Sequence, residues 1–137
     1  MWRRGDYLIS TDPDRLDLDL IHRFLSEDAY WSPGVAREVV EKSIRHSMNF
    51  GVYRDDDQVG FARVVTDYAT FAWLADVFVL EAHRRRELGK WMLETVLAHP
   101  ELRSLRRWLL ATKDAHGLYE PFGFRATAGD PRFMVIE

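Results

Sequence analysis

The densest concentration of reactive side chains is His83-Arg84-Arg85-Arg86-Glu87-Leu88-Gly89-Lys90. It follows an apolar, β-branched run, Val77-Phe78-Val79-Leu80, and precedes Leu88, Trp91, Met92, Val96 and Leu97, spaced as one face of an amphipathic helix. A basic turn therefore leads into a helix start. The unpaired amides of a first helical turn, with the helix dipole, attract anions. Three arginines beside them suit an anion of more than one charge, and a phosphate-bearing cofactor is expected there. The alternative is a solvated basic turn.

Other candidates lie apart from this turn. Asp76 is the acid within the apolar run from Thr70 to Val79, where a charge needs a partner or a purpose. It suits either deprotonation of a substrate, directly or through water, or a structural pairing. Tyr119, on a short helix candidate, suits a packed aromatic. Tyr30, Trp31, Tyr68, Phe71 and Trp73 suit core and edge packing, or a pocket whose ring faces hold a cation. Asp67, Glu27 and Asp28 stand near them in sequence. His83 and His116 suit phosphate binding or proton relay, or are ordinary surface histidines. The five His do not fall at metal-ligand spacing, so no metal is expected.

Composition narrows the classes. A chain of 137 residues suits one domain over residues 1–137, with 47% hydrophobic and 30% charged residues giving a globular profile. Its formal net charge of -3 argues against nucleic acid as partner, so the basic cluster is local. The lack of cysteine removes disulfides, thiolate metal sites and a cysteine nucleophile. No apolar run approaches the roughly 20 residues that span a bilayer, and the N-terminus lacks a signal-peptide core. A soluble cytoplasmic protein with no membrane partner is expected.

The elements that must position these residues follow from periodicity. Tyr7–Ser10 reads as a strand, and Leu16 to Leu25 as a helix capped by Asp12 or Asp14. Pro33 and Gly34 break the chain before a second helix from Val35 to about Ser47. Phe50–Tyr53, Val59–Thr66 and Thr70–Val79 form an antiparallel meander. A helix from about Glu87 to Ala98 follows, then a strand Arg107–Thr112, a short helix over 114–121, and a strand Arg132–Ile136. The order is β-α-α-β-β-β-α-β-α-β. The unit from Phe71 to Ala111 should pair parallel and the rest antiparallel. The fold expected is α/β (mixed α+β), a twisted, mostly antiparallel sheet with helices on both faces.

With this order, two motifs resemble the GNAT superfamily of N-acetyltransferases over essentially the whole chain. The family's Gln/Arg-x-x-Gly-x-Gly/Ala frame is occupied by Arg84-Arg85-Arg86-Glu87-Leu88-Gly89. The second motif, Ala-x-x-x-Tyr-x-x-x-Gly-Phe, is matched from Ala115 through Tyr119 to Gly123-Phe124. The resemblance implies acetyl-coenzyme A, with its pyrophosphate on amides from Arg85 through Glu87, Leu88, Gly89 and Lys90. It implies pantetheine pairing along Val77, Phe78 and Val79, and a strand amide near Phe78 or Val79 for the oxyanion. Tyr119 would protonate the departing thiolate. Tyr30, Trp31 and Trp73 would border the acceptor, a primary amine of a small molecule or peptide, attacked directly within a ternary complex. Homodimers are frequent in the family. Two frame positions depart: Arg85 and Glu87 stand where glycines are usual. Glu87 should then face solvent, pair with Arg84 or Lys90, or favour the helix dipole, while Arg85 and Arg86 bond phosphate. The alternative function is a GNAT-fold module that holds coenzyme A, or nothing, and acts through a partner.

Overall fold

The computed structural model describes residues 1–137. The chain opens with a hairpin, β1 (Trp2–Arg4) and β2 (Tyr7–Ser10), reversed at Gly5 with φ 58°. The strand β1 was not expected, because Trp-Arg-Arg has no alternation. It forms because Trp2 packs its ring on Phe50 and His99 while the strand pairs with β2. After it come α1 (Leu18–Arg23) and α2 (Arg37–Arg45). Asp17, not Asp12 or Asp14, caps α1, accepting from the Leu20 amide at 3.0 Å. Asp12 instead caps a short 3-10 turn over Pro13–Arg15. A π-helical turn, Phe24–Asp28, extends α1 and delivers the chain to Tyr30 and Trp31. The helix α2 is two residues shorter at each end than its periodicity suggests. At its start the Val35 amide is already used in a turn onto the Ser32 carbonyl.

The meander is β3 (Met48–Arg54), β4 (Asp57–Thr66) and β5 (Phe71–Val79). Then follow α3 (Leu88–Ala98), β6 (Arg107–Ala111), α4 (His116–Tyr119), β7 (Arg125–Ala126) and β8 (Phe133–Ile136). Pro121 ends the α-helical geometry early, so α4 runs on as a 3-10 turn over Glu120–Phe122. Eight strands make one sheet in the order β1-β2-β3-β4-β5-β6-β8-β7. Only β5 and β6 pair parallel, as the crossover from Phe71 to Ala111 requires.

Helices cover both faces. On one, Trp91, Met92, Leu93 and Val96 of α3 close over Leu74, Leu110 and Met134. On the other, Ile21, Phe24, Val40 and Ile44 of the α1–α2 layer close over Phe61 and Phe78. Within this second core the Phe24 and Phe78 rings stack at 4.0 Å with planes 12° apart. That contact ties the helical layer to the far half of β5, where the strand changes direction. Phe24 is buried, so Phe24→Ala should cost roughly 3–5 kcal/mol by cavity formation. Urea unfolding followed by tryptophan fluorescence measures it. A cost below about 1 kcal/mol would mean that the layer is not anchored through this stack.

Candidate active site

The site begins where two strands part. Strands β5 and β6 pair only from Phe71–Arg107 to Leu74–Leu110, yet β5 continues to Val79. Between its pairs Ala75–Arg63 and Phe78–Phe61, β5 carries one residue more than β4. That is a β-bulge, and it bends the strand. The extra residue is Asp76, at φ 54°. Simple alternation, which places Asp76 opposite in sense to both Val77 and Val79, does not hold across it. Past the bulge, the Leu80 amide donates to the Val59 carbonyl on β4. Ladder alternation then turns the N–H and C=O groups of Val77 and Val79 to the side that β6 has left. The Val79 carbonyl there accepts from Arg84 Nε at 2.9 Å.

Asp76 is held from two directions. Trp31 Nε1 donates to its Oδ1 at 3.0 Å, and Arg63 Nε to its Oδ2 at 2.8 Å. Arg63 Nη1 also donates to Ser47 Oγ at 3.1 Å. Both carboxylate oxygens are therefore engaged, which favours the structural pairing over a free base. Beside it, the Tyr30 and Trp31 rings meet edge to face at 5.1 Å. The Lys113 amide donates to Tyr30 Oη at 2.8 Å, and Lys113 Nζ lies 5.6 Å from the Tyr30 ring centroid. The loop after α1 is thus tied to β5 through Trp31 and to the end of β6 through Tyr30. Tyr30, Trp31, Arg63 and Asp76, together with Trp73, Thr112, Asp114 and Tyr119, line a cleft of about 380 Å³.

Tyr119 is buried at the cleft wall, its ring edge-on to Phe124 at 5.8 Å. Burial pushes its phenol up to about 12. It therefore holds its proton throughout the neutral range. The expected aromatic group is only partly assembled here: Tyr30, Trp31 and Trp73 line the cleft. Tyr68 lies with Asn49 and Ile44 in a different hollow, and Phe71 lies at the far end of β5. Asp67 is spent on its own turn, accepting from the Thr70 hydroxyl and from the amides of Thr70 and Ala69, which holds its carboxyl well below the usual range. Both flanking histidines have partners: His83 Nδ1 is 2.9 Å from Tyr7 Oη, and His116 Nε2 is 2.6 Å from the Pro131 carbonyl.

The basic turn has a glycine-like backbone without the glycines. Arg85 sits at φ 65° and Glu87 at φ 59°, both left-handed. Glu87 is the N-cap of α3 but its side chain caps nothing, and the first helical bond runs from the Trp91 amide to the Glu87 carbonyl. The amides of Leu88, Gly89 and Lys90 thus have no intrahelical partner. Left-handed residues at Arg85 and Glu87, directly ahead of them, are the kind of backbone that gathers successive N–H groups into an anion-binding concavity. Arg85, Arg86 and Glu87 are exposed, and none has an ion-pair partner. Glu87 therefore neither pairs with Arg84 nor with Lys90.

This combination of a parted strand pair, a buried phenol and an amide cradle has relatives. A family model described as an acetyltransferase (GNAT) domain matches residues 45–126. A Gibberella zeae protein assigned as an acetyltransferase is 36% identical over 84% of this chain and 77% of its own length. The chain belongs to the GNAT acetyltransferase family. A crystal structure of an assigned GNAT acetyltransferase from Xanthomonas campestris pv. campestris is 50% identical and superposes with TM-score 0.87, covering 89% of this chain and 86% of that one. A GNAT structure from Elizabethkingia anophelis with acetyl-CoA bound is 11% identical with TM-score 0.71, covering 98% and 99%, and shares the fold. As a GNAT acetyltransferase the molecule has no helix long and apolar enough to cross a membrane.

Sequence reading of this GNAT chain missed Arg63, Thr112, Lys113 and Asp114. Arg63 had a signal: it is the one charge inside the apolar run from Val59 to Val65. The strain at Glu87 is directly measurable. A left-handed L-residue costs roughly 1–2 kcal/mol, and glycine there returns 0.5–1 through greater chain entropy in the unfolded state. Glu87→Gly should therefore raise unfolding free energy by about 0.5–1 kcal/mol in equilibrium denaturation. A loss of stability would reveal a compensating contact of the Glu87 side chain.

Proposed function

We propose that this acetyltransferase moves the acetyl group of acetyl-coenzyme A to a primary amine by direct attack within a ternary complex. The observation that carries the reading is the buried Tyr119 phenol at the wall of the opening where β5 has left β6. The residues fit the cofactor in two respects. The amide concavity from Arg85 to Lys90 suits a diphosphate, with Arg85 and Arg86 free to add charge-assisted bonds. The outward polar groups of Val77 and Val79 suit the amides of a pantetheine arm, which would replace β6 as the neighbour of β5.

When bound, acetyl-coenzyme A supplies an activated acyl group, a thioester. The chain's own residues do the rest. Trp31, Tyr30 and Trp73 hold the acceptor so that its neutral nitrogen faces the carbonyl carbon, converting a bimolecular encounter into a positioned one. An outward amide of β5, at Val79 or Val77 and not at the expected Phe78, whose polar groups face β4, would donate to the carbonyl oxygen as it gains charge. The C–N bond forms, the C–S bond breaks, and Tyr119 gives its proton to the leaving sulfur. The nitrogen releases its extra proton to solvent, from which Tyr119 recovers one. Asp76 acts through position, keeping the bulge and Trp31 in place, since both its oxygens are already bonded.

The alternative of a non-catalytic coenzyme A module drew on Glu87 in a glycine position. The backbone there adopts the glycine conformation with the side chain exposed, which removes the steric argument for that reading.

Calorimetry with acetyl-coenzyme A should give saturable binding, weakened by Arg85→Ala and Arg86→Ala together; absence of heat at millimolar ligand would end the cofactor assignment. Tyr119→Phe should lower kcat about 100-fold, within the range for a positioned acid, with little change in cofactor affinity. The sign of its pH dependence follows from burial: the raised pKa preserves the acid form above pH 10, where an ordinary phenol starts to lose it. Wild-type kcat should therefore hold through pH 10 and decline only toward about 12. A basic limb below pH 10 that vanishes in Tyr119→Phe would contradict the burial argument.

A further inference from the structure

The cleft does not end at Trp73. Along β5, β6 and β8 every second side chain, from Ala72 and Leu74 to Trp108, Leu110 and Met134, is buried toward α3. Their neighbours necessarily face the other way. Strand register sets Val65, Trp73, Leu109 and Val135 in one row across four strands. Phe133 and Ala111 form the next row, with the Phe133 and Trp73 rings 6.2 Å apart. On this face the α1–α2 layer packs against Phe61 and Phe78 and stops there. Phe71 and Phe133, at 38% and 41% exposure, with Trp73 and Leu109 partly exposed between them, mark an apolar strip left partly open, while Val135 at its edge is buried.

Two features identify the occupant. The first is continuity: Trp73 and Ala111 belong both to the cleft wall and to the strip. From Asp76 to Phe71 the strip runs roughly 16 Å at strand rise. The second is charge. At the cleft, Asp76 is neutralised by Arg63, and Asp114 is the lining carboxylate with no ion pair. At the far end, a hollow of about 220 Å³ lies between Phe71, Leu109, Arg106 and Arg107. Arg107 is tied to Glu137, whereas Arg106 has no carboxylate partner. The path is acidic where an amine would enter, apolar along its length and basic at its end.

We infer that the acceptor is an amine on an extended apolar body that lies along this strip, with a neutral or acidic far end and not a second cation. This rests on the amine acetyltransferase reading above. A fully buried methylene is worth about 0.8 kcal/mol, a factor of about four. A strip open on one side yields about half of that energy, roughly a factor of two per methylene.

Released thiol, corrected for hydrolysis, gives kcat/KM for butylamine, octylamine, the α,ω-diamine of the octyl chain and ω-aminooctanoate. Octylamine and ω-aminooctanoate should exceed butylamine on the order of tenfold, and the diamine should fall at least tenfold below octylamine. Leu109→Ser should flatten the length dependence, with a melting curve checking the fold. Equal values across the series, or preference for the diamine, overturns the inference and leaves the amine reading standing. If no amine raises thiol release above hydrolysis while acetyl-coenzyme A still binds, both fall. Sedimentation that finds a dimer dissolved by Leu109→Ser assigns the strip to a second copy of the chain and also overturns it.

Discussion

The bonded carboxylate of Asp76 is the constraint on which the rest of the site depends. It stands at the residue where β5 bulges and leaves β6. Its two oxygens join three separate pieces of chain: Arg63 on β4, Trp31 on the loop after α1, and its own strand. A bulge by itself would open the sheet and leave strand polar groups facing water. With Arg63 and Trp31 attached, the opening acquires a fixed wall on its acceptor side. Arg63 and Asp76 are both largely shielded, at 18% and 13% side-chain exposure. Removing either partner would leave a poorly hydrated charge, a larger penalty than the pair is worth as a bond. The pair is therefore better understood as a device that specifies geometry than as a source of stability.

Backbone strain is distributed in the same pattern. Five non-glycine residues have positive φ, and three of them are Asp76, Arg85 and Glu87. The other two, Asp55 and Tyr68, sit at hairpin turns where a left-handed residue is ordinary. The site thus keeps left-handed geometry with side chains that oppose it, each at a cost of roughly 1–3 kcal/mol. At Asp76 the return is visible in the two bonds to its carboxylate. At Arg85 and Glu87 no ion pair compensates, and in the proposed reading the return comes from the anion that the amides would bind.

The difference between backbone geometry and residue type explains how much could be read from sequence. Strand-helix alternation, the parallel pair and the two covered faces follow from apolar periodicity, and the expected elements have boundaries off by at most two residues. The motif frame located Tyr119 and the turn, because those depend on spacing along the chain. The bulge was not legible: a two-residue period predicts an unbroken strand from Thr70 to Val79, and nothing in Ala75-Asp76-Val77 signals the extra residue. Lys113 joins the site through the hydrogen bond of its amide to Tyr30, across a separation of 83 residues that chain spacing does not reveal. The strand β1 escaped for a similar reason, since its stability lies in what Trp2 packs against rather than in its own composition.

In the proposed reaction the two halves of the site would read their ligands by different physics. Toward acetyl-coenzyme A, the recognising groups would be main-chain amides at the start of α3 and along the free side of β5, with exposed arginines adding charge. Such a surface depends on φ and ψ and tolerates many side chains, which is why Arg85 and Glu87 can occupy glycine positions without changing the fold. Toward the proposed acceptor, recognition would fall to side chains: Trp31 held by Asp76, Tyr30 held by Lys113, and Trp73 continuing into the apolar strip. Altering one of those changes what is recognised without disturbing the cradle. The bulge at Asp76 separates the two regions, and a single carboxylate keeps their relative placement while leaving each free to differ.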